Sequence, residues 1–274
     1  MSYPFPIGVF DSGYGGLTVL KEIEALLPRY DFMYLGDNAR APYGSRSFET
    51  VYEYTLQCVQ WLFQQGCPLI ILACNTASAK ALRTIQQKDL PGYDDKKRVL
   101  GVIRPTVEII GDYTTSNEIG ILGTKGTVKS ASYLIEIEKL FPQIKVFQQA
   151  CPLWVSLIEN NEYESQGADY FIKKDIEALL NQSHRIDTVL LACTHYPLLL
   201  RKIKCYLPGE IKVISQGAIV AKSLENYLSR HPEMERNCSK NSTLQFFTTG
   251  STNDFDQHSE VFFGKKVSSL HIDL

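Results

Sequence analysis

The 274-residue chain has no run of 18 apolar residues, which excludes a membrane-spanning helix. Neither sign of charge dominates: 28 Lys and Arg stand against 30 Asp and Glu, and a net charge of −2 leaves no electrostatic footprint for nucleic acid. The seven cysteines contain no Cys-x-x-Cys pair and no Cys/His ligand spacing, so no metal site is expected. An odd, scattered set of thiols fits a reduced, cytoplasmic setting better than a disulfide framework. The opening Met1–Pro6 stretch has neither a basic segment nor a long apolar one, and so does not read as a secretory signal. The loop Gly13-Tyr14-Gly15-Gly16 matches neither G-x-G-x-x-G nor a P-loop, since no Gly-Lys-Ser/Thr follows. Dinucleotide and nucleoside triphosphate cofactors are therefore poorly supported, and a loop of free N–H groups for a small carboxylate fits better.

What is present is ordinary globular material. Hydrophobic content of 44% and charged content of 21% are folded-protein values, and the length allows one large α/β domain or two smaller ones. Two segments stand out as copies of one device: Ile70-Ile71-Leu72-Ala73-Cys74-Asn75-Thr76 and Val189-Leu190-Leu191-Ala192-Cys193-Thr194-His195. Each is an apolar run that ends at a cysteine and turns polar. Such runs read as buried strands of a parallel sheet. The cysteine then sits at a carboxyl end, where open α/β sheets bind their ligands. Two thiols, one from each half of the chain, suit chemistry in which one group removes a proton and another delivers one.

Strand-like runs alternate with amphipathic helical stretches, the signature of a βα-repeating fold. In the first part, strands are expected at Ile7–Phe10, Phe32–Leu35 and Leu69–Ala73, with helices at Leu17–Leu27, Phe48–Gln65 and Ala77–Gln87. The polar stretch Lys88–Arg98, broken by Pro91-Gly92, reads as a linker. After it come expected strands at Val99–Ile103, Glu118–Leu122, Ile144–Gln148, Val189–Ala192 and Ile211–Ile214. The helices expected there are Thr127–Leu140, Ala168–Leu180, Leu198–Tyr206 and Ala218–Arg230. His231–Ser242 reads as a surface loop, and Leu244–Thr248 and Val267–His271 as closing strands.

Free cysteine usually behaves as a small buried hydrophobe, and Cys58, Cys67, Cys151, Cys205 and Cys238 are read that way. Cys74 and Cys193 differ because polar neighbours and the start of a following helix could lower a thiol's pKa. Asp11 follows the first strand and belongs at the same sheet edge, although Asp11 and Ser12 also suit helix capping or turn formation. His195, two residues beyond Cys193, is placed to tune that thiol or bind a ligand. His184, His231, His258 and His271 read as surface or satisfied-core residues. On local grounds Tyr43-Gly44 is equally a site-lining loop and a simple Pro-Tyr-Gly turn.

Taken together, several segments resemble the glutamate racemases of the cofactor-independent aspartate/glutamate racemase superfamily. They are Phe10–Leu17 (FDSGYGGL), Gly36–Arg40 with Pro42-Tyr43-Gly44, Ala73–Ala77 (ACNTA), Gly123–Val128 (GTKGTV) with Ser130 and Tyr133, and Ala192–Leu198 (ACTHYPL). The resemblance implies two similar α/β domains with mainly parallel sheets flanked by helices and the active site at their interface. Residues 1–98 with 212–274 would form one domain and 99–211 the other. It implies racemisation of L- and D-glutamate by two thiol bases without a cofactor, supplying D-glutamate for bacterial peptidoglycan, in a cytoplasmic homodimer. Cys74 resembles the base acting on the D-enantiomer and Cys193 the one acting on the L-enantiomer, assisted by Asp11 and His195 respectively. Ser12, Pro42, Tyr43, Gly44, Asn75, Thr76, Thr124, Thr127 and Thr194, together with Asp11 and His195, match positions that hold the substrate.

Three positions depart from the family pattern. Arg104 stands where a glutamate before Pro-Gly is frequent, and no catalytic role is assigned to it. Gln216 replaces a common Asp at a position of structural character. Tyr14, where a smaller residue is usual, is expected at the cleft edge. The rival readings are an aspartate racemase, with the same thiols and a different pocket length, and a binding protein of the same fold that has lost activity.

Overall fold

The computed structural model describes residues 4–93 and 96–274. Asp94 and Asp95 of the expected linker, and Met1, Ser2 and Tyr3, lie outside the described residues. In chain order the strands are β1 (Ile7–Asp11), β2 (Phe32–Gly36), β3 (Leu69–Leu72), β4 (Arg98–Gly101) and β5 (Glu118–Gly123). They continue with β6 (Lys145–Ala150), β7 (Thr188–Ala192), β8 (Lys212–Ile214), β9 (Leu244–Thr248) and β10 (Ser269–His271). They form a six-stranded sheet of order β10-β9-β2-β1-β3-β4 and a four-stranded sheet of order β6-β5-β7-β8. Every pairing is parallel. A parallel sheet covered on both faces demands apolar residues at every position. Accordingly β1, β2, β3, β5 and β7 are buried along their whole length, while edge strand β6 is half-exposed.

The two sheets share a local order. β2-β1-β3-β4 in one matches β6-β5-β7-β8 in the other. In each, the first strand's successor lies on one side and the third strand on the other, which opens a crevice at the carboxyl ends. Cys74 follows β3 and Cys193 follows β7, so the matched sequence segments occupy matched topological positions.

Sheet membership departs from the expected boundaries at two strands. β4, expected to open the second unit, pairs with β3 in register Leu69↔Arg98 to Leu72↔Gly101. β8, expected with the first unit, pairs with β7. The polar run thus comes before the last strand to join the first sheet on that side and does not mark a boundary between sheets. Much of that run is helical: the segment expected at Ala77–Gln87 begins earlier, as helix Asn75–Lys80, breaks at Ala81, and continues through Leu82–Thr84 and turns at Ile85–Asp89 and Leu90–Gly92. The helix expected at Thr127–Leu140 is split into Lys125–Ser130 and Ser132–Leu140 by left-handed Ala131 (φ 54°). That expected at Leu198–Tyr206 is a 3₁₀ turn, Tyr196–Leu199, leading into helix Leu200–Tyr206.

His231–Ser242 is not simply a loop. It contains helix Pro232–Asn237, with proline in the first turn and Met234, Cys238 and Ser239 buried. Three helices had no counterpart in the sequence reading: Ile103–Ile109, Trp154–Glu159 and Thr252–Phe262. The first two are only two turns long or less, too short for a period of 3.6 to declare itself. Cys205 is exposed, contrary to its reading as a buried hydrophobe, whereas Cys58, Cys67, Cys151 and Cys238 are buried.

Candidate active site

Between the carboxyl ends of the two sheets lies a cavity of about 100 Å³. Ser12, Cys74, Asn75 and Thr76 reach it from the ends of β1 and β3, and Thr124, Cys193, Thr194 and His195 from the ends of β5 and β7. Pro42, Tyr43 and Gly44 close one side from the loop after β2. The remaining two expected residues stand behind the wall: Asp11 and Thr127 are fully buried and do not line it.

Cys74 caps helix Asn75–Lys80, its Sγ accepting from the Ala77 N–H at 3.4 Å, and Ser12 Oγ lies 3.4 Å from the same sulfur. The sequence reading expected a lowered thiol pKa here. Instead, burial and the neighbouring Asp11 carboxyl push the Cys74 thiol up to about 12, and the contacts from Ser12 and Ala77 only partly oppose them. Burial also raises Asp11, against the His195 charge and N–H groups of Gly13 and Gly16. Thr194 Oγ1 donates to Asp11 Oδ2 at 3.4 Å, tying the two halves together behind the cavity.

On the opposite wall, His195 Nδ1 lies 4.0 Å from Cys193 Sγ and its Nε2 lies 2.8 Å from Glu159 Oε1. Burial acts to lower the His195 pKa, but hydrogen bonds to Cys193 and Glu159 and their charges win, raising it to about 10. These contacts favour the imidazolium form of His195. Cys193 faces a cation, and Cys74 a carboxyl group.

Nothing local in the sequence marks Glu159 as a site residue. It ends the short helix Trp154–Glu159, whose buried Trp154 and Ile158 are the one local hint of an amphipathic turn, and nothing local ties it to a histidine 36 residues away. Its backbone carbonyl lies 2.9 Å from His258 Nε2, a contact from the C-terminal helix Thr252–Phe262. Tyr14, expected at the cleft edge, instead stacks on His258 at 4.2 Å and packs against Phe255 and Phe262. Cys151, read as a plain core residue, contributes to the cavity wall while remaining almost wholly buried.

Three hydroxyls bridge the halves: Thr76 Oγ1 lies 2.9 Å from Thr124 Oγ1 and 3.4 Å from Thr127 Oγ1, and the latter two are 3.1 Å apart. Tyr43 donates its hydroxyl to buried Asp37, which also accepts from Arg40 Nε at 2.7 Å and Thr249 Oγ1 at 2.7 Å. Tyr43 thus lines the cavity with its hydroxyl committed to Asp37.

Gly15 sets how closely the halves meet. A Cβ there would stand 2.3 Å from both His195 Nδ1 and Thr194 Oγ1. Gly15→Ala is expected to force the walls apart, lowering stability by about 1–3 kcal/mol through overpacking. Activity should fall by more than ~10² because misplaced catalytic groups lose their alignment. Thermal unfolding and kcat/KM on one preparation test this; a variant with wild-type kcat/KM would show that the close approach is dispensable.

Arg104 lies elsewhere. It borders a second cleft of about 600 Å³ and pairs with Glu108 at 2.9 Å and Glu136 at 3.2 Å.

With this geometry in view, residues 7–224 match the profile of a family described as Asp/Glu/Hydantoin racemase. The chain belongs to that family. A similar relative is the glutamate racemase of Streptococcus gordonii, 39% identical over 274 residues and 98% of each chain. Among solved structures, glutamate racemase isoform RacE1 of Bacillus anthracis superposes with a TM-score of 0.89 at 34% identity, covering 98% of both chains. The glutamate racemase of Francisella tularensis, solved in complex with D-glutamate, gives 0.87 at 30% identity and the same coverage. The expected α/β fold is borne out by these racemases, and the enzyme class is that of isomerases acting on amino acids.

Proposed function

We propose that the protein interconverts L- and D-glutamate by a two-base mechanism, with Cys193 acting on the L-enantiomer and Cys74 on the D-enantiomer. One observation carries the reading: two thiols, each following the third strand of its own sheet, reach one cavity from opposite walls.

Starting from L-glutamate, Cys193 as thiolate, paired with the His195 imidazolium, takes the α-proton. The electron pair left on carbon is stabilised as it delocalises into the α-carboxylate. Cys74, held as a neutral thiol by burial and Asp11, delivers its proton to the other face. The products are D-glutamate, a Cys193 thiol and a Cys74 thiolate, which is the starting arrangement for the reverse reaction. Hydroxyl and amide donors from Ser12, Asn75, Thr76, Thr124 and Thr194 would hold the carboxylates, each donor worth about 10²–10³ in rate if it follows the developing charge. Displacement of water from the site on substrate binding would strengthen these contacts.

The physiological role in this reading is supply of D-glutamate for bacterial peptidoglycan by a cytoplasmic homodimer. The bacterial relatives support the role, and seven unpaired cysteines support a reducing compartment. Circular dichroism of L-glutamate with the enzyme in D₂O, together with α-deuterium content of the product, tests the activity. Decay of the signal to zero with deuterium incorporation is the expected result. An unchanged signal with no deuterium, followed by turnover of aspartate, would replace glutamate with the shorter acid.

A further inference from the structure

Apart from the thiols and their partners, a buried polar cluster surrounds Asn75. Asn75, Thr106, Tyr133 and Gln216 are all buried. Asn75 opens the helix after β3, in the first half of the site. Thr106 lies on helix Ile103–Ile109, Tyr133 on helix Ser132–Leu140, and Gln216 just before helix Gly217–Arg230.

The direction of every bond among them is determined. Thr106 Oγ1 donates to the Val102 carbonyl at 2.9 Å, so toward Gln216 it can only accept. Gln216 Nε2 donates to Thr106 Oγ1 at 2.8 Å and to Tyr133 Oη at 2.8 Å, with a longer contact of 3.2 Å to the Val102 carbonyl. Tyr133 sends its own proton to Asn75 Oδ1 at 2.6 Å, and Asn75 Nδ2 donates to Gln216 Oε1 at 2.7 Å. Turning the Asn75 amide over would set oxygen against Gln216 Oε1 and leave an N–H facing a hydroxyl already accepting from Gln216. Buried mismatches of that kind are costly, so one orientation is selected. In it, one Nδ2 proton of Asn75 is left outside the ring of bonds, on a residue that lines the cavity.

We infer that Tyr133 and Gln216 are positioning residues that lock the Asn75 carboxamide so that its free N–H meets a carboxylate oxygen of the amino-acid substrate. This rests on the racemase reading above. The donor therefore stands on one half of the site while its orientation is set by the other. It is in place only when helices Ser132–Leu140 and Gly217–Arg230 are seated against Asn75.

A double-mutant cycle on the full chain tests the inference. Asn75→Ala is expected to lower kcat/KM by about 10²-fold, as for loss of one donor to a charged reacting group. Tyr133→Phe should lower it about 10-fold, and the double variant only about 10²-fold, because Tyr133 acts through Asn75. The division of the loss between KM and kcat in Tyr133→Phe should copy that in Asn75→Ala, which mere loosening of the core has no reason to do. Additive losses approaching 10³-fold, or a division unlike that of Asn75→Ala, would overturn the inference. Should Tyr133→Phe fail to fold, Thr106→Val removes an acceptor from Gln216 at nearly constant volume and enters the same cycle with the same expected non-additivity. Wild-type protein that leaves L-glutamate unchanged would sink the racemase reading before any variant is made, so the two failures are separable.

Discussion

Cys74→Ala and Cys193→Ala should each remove racemisation, by more than ~10³-fold, because inversion needs a proton taken from one face and another delivered to the opposite face. Since the enantiomers have equal free energy, any residual kcat/KM must be equal in the two directions, so rates of racemisation cannot tell the thiols apart. Hydrogen exchange can. With Cys74 gone, Cys193 can still remove and return the α-proton of L-glutamate, so deuterium should enter L-glutamate without inversion and leave D-glutamate untouched. With Cys193 gone, the pattern should reverse. Mass spectrometry of each enantiomer after incubation in D₂O reads this directly. Racemisation within ten-fold of wild type in either variant, or exchange into the opposite enantiomer, would refute the assignment of the bases. Both substitutions remove a single buried sulfur, and circular dichroism should show an intact fold.

Glu159→Gln should lower kcat/KM by about 10²–10³-fold and narrow the working pH range from the alkaline side. Gln keeps the shape and an acceptor for His195 Nε2 but removes the charge. In the wild type, the Cys193 and Glu159 contacts outweigh burial and raise His195 from 6.5 to about 10. Without the carboxylate only the Cys193 contacts still oppose burial, so the His195 pKa falls and the cation facing Cys193 is held less firmly. The alkaline limb of the kcat/KM profile, expected near pH 10 in the wild type, should therefore move toward neutrality. Stability follows the same sign. A raised folded-state pKa contributes stability that is fully present below the unfolded value and is lost as pH rises through the folded one. That stabilisation should fade between about 6.5 and 10 in the wild type, and be weaker throughout in the variant. An unshifted alkaline limb would disconnect Glu159 from His195 in catalysis.

Much of the fold was legible because its signals are local. β1, β3, β5 and β7 are continuous apolar runs, which only a strand buried on both faces requires, and each ends where polar residues begin. Cys74, Cys193 and Asp11 could be placed at carboxyl edges from that pattern alone, whereas Thr124 was reached only through the family resemblance. Helices Leu17–Leu26, Phe48–Gln64 and Gln166–Leu180 are long enough for their apolar period to show. The two-turn helix carrying Glu159 is not, and its role depends on a partner supplied by another element.

By itself, then, the sequence determined the fold class and the strands that end in thiols. Through the family resemblance it also supplied the loop residues around them and the chemistry to expect. Tertiary structure alone decided that β4 completes the first sheet and β8 the second, since an edge strand's partner is chosen by register and by the faces left to cover. It alone joined His195 to Glu159 and set Asn75 against Gln216, 141 residues away. It also decided the charge state of the site. A thiol's polar neighbours in sequence suggested a lowered pKa at Cys74, but burial beside Asp11 outweighs them. Periodicity and turn chemistry act between residues a few positions apart and can be read along the chain. Desolvation and hydrogen-bond direction belong to a closed environment, which exists only after distant segments have packed.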